Sequence, residues 1–131
     1  QAMKTLGTTD IRLIAPETLH YKEETPGLER FDSLKKGIEG ADVIISLRMQ
    51  KERMIAADIP DEQTYFENFG LTAEVLKCAK PDVILMHPGP VNRGIELESS
   101  VADGPHSVIL QQVTNGIAVR MAVMVILAGA F

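Results

Sequence analysis

The sequence predicts an α/β protein: a parallel sheet flanked by helices. Three short β-branched runs, residues 11–15, 42–47 and 82–86, each follow turn residues and stop abruptly, the pattern of strands covered on both faces. Helical patterns fall between them. Alternating strands and helices build layered sheets joined by right-handed crossovers.

The chain opens with a short helical pattern over residues 1–6. The turn Gly7-Thr8-Thr9-Asp10 leads into the first strand, which ends at Pro16. A strand of thinner apolar content falls at residues 28–31. Residues 33–38 read as a helix with Asp32 as N-cap and Leu34 and Ile38 one turn apart. Gly40-Ala41 introduces the strand 42–47. Residues 72–79 begin at a natural capping residue, Thr72, and end before Pro81. The strand 82–86 runs into His87-Pro88. Asn115-Gly116 is a hairpin signal, but Ile117, Met121, Met124 and Ala128 repeat at helical spacing, so a helix is expected over residues 115–128. Its most apolar part, residues 117–128, contains Arg120. At about twelve residues it is too short for a membrane span and suits a buried helix. The protein is read as soluble, with no membrane partner. No strand precedes residues 1–6, although the first strand of a doubly wound sheet is usually central. The sheet is therefore expected to lack its first strand, with the start of the protein absent.

At 131 residues the chain is one domain by length. Its folded surface should be roughly 6,800 Å² against roughly 20,000 Å² extended, enough burial for a core without staples. Hydrophobic residues at 45% and charged ones at 24% are globular values, which argue against disorder. A net charge of −5 disfavours non-specific binding to nucleic acid or anionic membrane. The single cysteine, Cys78, excludes an internal disulfide framework and a Cys-rich zinc site, and fits a reducing cytosol. No signal peptide is visible.

Two loops hold the unusual chemistry. Arg48, Lys51 and Arg53 bring three cations within six positions of an otherwise acidic chain. From Met54 to Leu76 the only charges are Asp58, Asp61, Glu62, Glu67 and Glu74. At the carboxyl end of a strand, Arg48 is placed to grip a carboxylate with two charge-assisted hydrogen bonds, and Gln50 adds an amide on the same side of an extended segment. A solvated basic loop has the same signature. The second loop is His87-Pro88-Gly89-Pro90-Val91-Asn92-Arg93-Gly94. Its prolines stiffen the backbone and remove two N–H donors, while Gly89 permits close approach. Such a loop offers carbonyl acceptors to a ligand bearing N–H groups, and serves equally as a stiff turn with no ligand. His87 reads as a hydrogen-bonded loop residue before a catalytic base.

Other chemistries lack support. Neither a G-x-G-x-x-G after a strand nor a P-loop is present, and no G-x-S-x-G elbow. His20, His87 and His106 have no zinc-ligand spacing, and no aromatic residues interleave with basic ones for nucleic acid. Gln111, Gln112, Met121 and Met124 read as helix surface and core.

Three blocks resemble the aspartate carbamoyltransferase family. They are Leu47-Arg48-Met49-Gln50-Lys51-Glu52-Arg53-Met54, the loop from His87 to Gly94, and Gln111-Gln112-Val113-Thr114-Asn115-Gly116-Ile117-Ala118-Val119-Arg120-Met121. They stand in family order, and the resemblance covers essentially the whole chain. It is to the C-terminal, aspartate-binding half of the catalytic polypeptide. It implies the aspartate/ornithine carbamoyltransferase fold, a Rossmann-like parallel sheet. Residues 1–131 would then be an aspartate-binding domain, incomplete at its N-terminus, with the carbamoyl-phosphate domain absent. The implied reaction moves the carbamoyl group of carbamoyl phosphate to the amine of L-aspartate, giving N-carbamoyl-L-aspartate and phosphate in pyrimidine biosynthesis.

Carried onto this chain, the resemblance gives Arg48 to an aspartate carboxylate, with Gln50 assisting. Gly89 and Pro90, with His87 and Pro88, would present carbonyls to the carbamoyl nitrogen and the attacking amine across a cis Gly89–Pro90 bond. Residues 49–64 would form a mobile loop closing over the substrates. No metal and no organic cofactor is implied, because carbamoyl phosphate is already activated. The resemblance also implies a cytoplasmic homotrimer in the full-length enzyme, and regulatory or dihydroorotase subunits as further partners. The family's phosphate-binding Ser-x-Arg-Thr-Arg motif is not in the chain. No catalytic residue is assigned, and no turnover is expected of this polypeptide alone. Two alternatives stand beside this reading: an ornithine carbamoyltransferase-like enzyme, whose His-Cys-Leu-Pro and Ser-Met-Gly motifs are missing here, and a non-catalytic carbamoyltransferase-like scaffold.

Overall fold

The computed structural model describes residues 2–20, 25–49 and 61–129. The chain begins with a one-turn helix, α1 (Ala2–Thr5). Strand β1 (Arg12–Ile14) pairs in parallel with β2 (Glu29–Phe31), so the thin segment at 28–31 is a strand. Helix α2 (Leu34–Gly37) crosses back over this pair. Gly37 is required by close approach: a Cβ there would come within 2.4 Å of the Ile14 side chain. Arg12 locks the end of the helix, donating from Nη1 to the carbonyls of Gly37 and Glu39 at 3.1 and 2.7 Å. These carbonyls lie at a helix end, where no further turn supplies a donor.

Strand β3 (Val43–Ile45) pairs in parallel with β4 (Ile84–Met86) in the register Val43↔Ile84, Ile44↔Leu85, Ile45↔Met86. Between them lie α3 (Glu62–Phe69) and α4 (Ala73–Leu76). Both start on side-chain caps: Asp61 accepts from the Thr64 amide, and Thr72 from the Val75 amide. On its other side β4 meets residues 106–108, since the Leu85 amide donates to the His106 carbonyl and the Val108 amide to the Leu85 carbonyl. This makes β4 central. Its Leu85 is fully buried in a core with Ile38, Leu71, Leu97, Val101, Ala102 and Ile109. Helix α5 (Ser99–Ala102) supplies two of these, and α6 (Ile109–Leu127) begins on the last.

The parallel α/β architecture is the expected one, with several corrections. Among the described residues the strands form two separate parallel pairs. The N-cap of α2 is Ser33 rather than Asp32, and its side chain makes no capping bond. The sheet is not covered on both faces: Val43, Ile45 and Ile84 are exposed, while Leu85 faces the core. Helix α6 starts six residues earlier than expected and is not buried. Its apolar residues run all round the helix, yet only its N-terminal end, at Ile109, joins the core, and Met121 and Met124 are exposed rather than core. At 19 residues it is also long and apolar enough, by length and composition alone, to cross a membrane, which overturns the twelve-residue reading. The chain exposes 9270 Å², about a third above the roughly 6,800 Å² of a compact protein of this mass.

Candidate functional site

Parallel pairing in register sends β3 and β4 out of the sheet at the same end. The Ser46 amide donates to the Met86 carbonyl at 2.9 Å, carrying the ladder to the point where both loops begin. The segment with Arg48 and the loop 87–90 are thus neighbours at the carboxyl ends of adjacent strands, where open parallel sheets bind ligands. Arg48 is half-buried, and its charge reaches His87, where it opposes protonation of the ring. Gln50 lies outside the described residues. So does most of the expected closing loop, although Met49 is buried and residues 62–64 belong to α3 rather than to a loop.

The loop itself is built as an acceptor. The Gly89–Pro90 bond is cis, as expected, and Gly89 has a left-handed φ of 70° with open space where a Cβ would project. Pro88 and Pro90 have no N–H. The His87 amide donates to the Gln112 side-chain oxygen at 2.9 Å, and the Gly89 amide donates to His87 Nδ1 at 2.8 Å. Every backbone donor from 87 to 90 is therefore absent or engaged. No backbone amide of the described residues donates to the carbonyls of Pro88, Gly89 or Pro90. Pro88 and Pro90 are exposed and Gly89 half-buried, so acceptor oxygens are what this loop can show a ligand.

His87 is turned inward, with its side chain fully buried. The whole residue is 0% exposed, so the accessible face of the loop is that of Pro88, Gly89 and Pro90. Behind it stands Glu96, 2% exposed, whose Oε1 accepts from the Asn92 amide at 2.6 Å and lies 3.3 Å from His87 Nε2. Burial pushes the imidazole below its usual proton affinity, Glu96 works against that shift, and Arg48 adds to it. Tyr65 of α3 is part of the same neighbourhood: burial raises its phenol, and the Glu96 carboxylate raises it further. Beyond the loop, Arg93 makes a two-pronged contact with Asp103 at 2.7 and 2.8 Å, which holds the Asp103 carboxyl below the usual range.

Sequence reasoning missed Glu96 and Gln112. The first carried no motif, and the second read as helix surface. The available signal was that a Pro-Gly-Pro loop has two amides left, and buried amides need acceptors. A recess of about 450 Å³ lined by Leu76, Lys77, Val83 and His106 lies at the opposite, amino end of β4 and shares no residue with these loops.

A family model described as aspartate/ornithine carbamoyltransferase, Asp/Orn binding domain, matches residues 3–127. The aspartate carbamoyltransferase catalytic subunit of Ruthia magnifica subsp. Calyptogena magnifica is 65% identical over 128 residues, 97% of this chain and 40% of that protein. The same subunit of Vesicomyosocius okutanii subsp. Calyptogena okutanii is 62% identical over 129 residues, again 40% of its length. The chain thus spans about 40% of the curated relatives it matches. Among solved structures, ornithine carbamoyltransferase from Pyrococcus furiosus superposes with a TM-score of 0.69 at 28% identity, covering 80% of this chain and 33% of that one. Aspartate transcarbamoylase from Trypanosoma cruzi, in complex with carbamoyl aspartate and phosphate, gives 0.71 at 25% identity over 88% and 40%.

Proposed function

This chain belongs to the aspartate/ornithine carbamoyltransferase family as its Asp/Orn-binding domain, and from that premise we propose that it supplies the amino-acid half of an aspartate carbamoyltransferase site. In the complete protein the amine nitrogen of L-aspartate attacks the carbamoyl carbon of carbamoyl phosphate. The carbon–oxygen bond to phosphate breaks, phosphate leaves, and the amine gives up a proton. The observation that carries this reading is the convergence of a guanidinium segment and an acceptor loop at the carboxyl ends of two paired strands. Arg48, with Gln50, takes a carboxylate of the substrate. The carbonyls of the loop from His87 and Pro88 to Gly89 and Pro90 take the N–H groups of the amine and the carbamoyl nitrogen. Such fixed partners act by orientation and by charge placed in advance of reaction.

Ornithine is the weaker substrate on physical grounds. Its side chain ends in a cation, which Arg48 would repel, whereas aspartate ends in a carboxylate. The chain has no phosphate-binding motif for the donor, so phosphate binding is assigned to the full-length protein outside residues 1–131, and the chain alone is expected not to turn over. Residues 1–131 act as the aspartate-binding domain of a cytoplasmic homotrimer in pyrimidine synthesis. The family resemblance supports the trimer and the pathway; the unpaired Cys78 suits a reducing compartment.

The test is Arg48→Ala in the full-length protein. Loss of a charge-assisted contact of about 1.5–3 kcal/mol should weaken aspartate about 10- to 150-fold, with little change for carbamoyl phosphate. Unchanged aspartate affinity would remove Arg48 from the site.

A further inference from the structure

Glu96 has a place in this arrangement that the substrate contacts do not assign. We propose that Glu96 is a positioning residue, whose buried carboxylate fixes the ring of His87 and so aims the carbonyls of the loop 87–90 at the substrate. The proposal rests on the functional reading above.

The geometry runs through three atoms. His87 Nδ1 receives the Gly89 amide, so it carries no proton, and a neutral ring must then hold its proton on Nε2. Nε2 is 3.3 Å from Glu96 Oε1, close enough for attraction though not yet aligned as a hydrogen bond. The same oxygen receives the Asn92 amide at 2.6 Å. One carboxylate oxygen therefore faces the chain on both sides of Pro88-Gly89-Pro90. Glu96 is itself held by its own carbonyl, which accepts from the Leu71 amide at 3.0 Å next to the core.

Neither ring nor carboxylate is reached by bulk water, at 0% and 2% exposure. A misplaced proton there has no solvent partner to turn to. A ring protonated on Nδ1 instead would point two donors at each other and release the Gly89 amide. The loop would then lose the contact that fixes Gly89 between its prolines. Burial also keeps the ring neutral, which is the state this arrangement requires. Displacement of reacting groups by about 1 Å can cost on the order of 100-fold in rate, so a loosened acceptor loop should show in kcat more than in KM.

The experiment uses the full-length protein. The ring nitrogens of His87 are first read by 15N NMR in the unsubstituted protein at neutral pH. A protonated Nε2 with an unprotonated Nδ1 is expected; a proton on Nδ1 overturns the proposal whatever the activity. A protein that transfers no carbamoyl group to aspartate overturns the functional reading instead, before any variant is made. Glu96→Ala should then lower kcat about 10- to 100-fold, change KM for aspartate less than about threefold, and populate the Nδ1-protonated ring. Glu96→Gln keeps an acceptor oxygen for both donors and should recover most of kcat. If kcat stays within about twofold in Glu96→Ala, or the loss lies in KM alone, Glu96 does not position the loop. Should Glu96→Ala not fold, the NMR reading and Glu96→Gln decide, and a Gln variant with the Nδ1 proton refutes the idea.

Discussion

Replacing Gln112 with Met isolates a single hydrogen bond between the long helix and the loop. Gln112 Oε1 accepts the His87 amide at 2.9 Å from a half-buried position on α6. Met has similar length and similar helix propensity, so backbone and packing change little. The lost part is the acceptor. A buried amide left without one costs about 1–3 kcal/mol, and half-exposure of Gln112 lets water recover part of it, leaving about 1–2 kcal/mol. Gln111 supplies the control: it is the preceding residue, exposed on the same helix. Denaturant unfolding of Gln112→Met against Gln111→Met should show that difference in stability. Amide hydrogen exchange reads it locally, and the His87 amide should exchange about 5- to 30-fold faster. Equal midpoints and unchanged His87 exchange would refute the claim that α6 holds the loop.

Two further outcomes follow from burial. Leu85→Ala, at the centre of β4 and fully buried, should cost about 2–5 kcal/mol in unfolding free energy, whereas Val43→Ala on the exposed face should cost far less. The depressed proton affinity of His87 sets a pH dependence. Below the ordinary histidine value of 6.5 the unfolded chain binds a proton that the folded chain resists, so this contribution is complete above that pH and falls as the pH drops. The slope from one such group is at most about 1.4 kcal/mol per pH unit. Unfolding measured from pH 7.5 to 5 should show stability declining before the carboxylates titrate, and a flat profile over that range would contradict a buried neutral His87. Glu96 opposes the shift, Arg48 reinforces it, and the Tyr65 phenol lies beside Glu96.

What could be read from the sequence was local in origin. Three strands were legible as β-branched runs between turns, because extended backbone is set by neighbours along the chain. The one ending at Phe31 has no β-branched residue and left only a faint apolar trace. Thr72 marked the start of α4, since a cap needs only its own next turn. Pro88 and Pro90 disclosed an acceptor loop because proline lacks a donor in any fold. Contacts across the chain were not legible. Nothing near Glu96 says that its carboxylate reaches back to His87 and Asn92, and Gln112 lies 25 residues from the amide it serves. The start of α6 was hidden because Val108 precedes it without a side-chain cap and Asn115-Gly116 imitates a turn. Its exposure was hidden for another reason. The helical spacing of Ile117, Met121, Met124 and Ala128 picks out one row of a helix that is apolar all round, and says nothing of which surface is there to receive it.

The donor-free loop imposes a polarity on whatever enters beside it. On the proposed reading, the carbonyls of Pro88, Gly89 and Pro90, which receive no backbone amide of the described residues, attract the amine of an amino acid and repel a carboxylate. The guanidinium of Arg48, one strand away, does the reverse. A molecule inserted backwards would meet like charge at both ends. Head-to-tail direction is thus set jointly by backbone acceptors and one side chain, Arg48, before any reaction begins, and substitutions within the loop that keep both imino acids should leave that sense of entry intact.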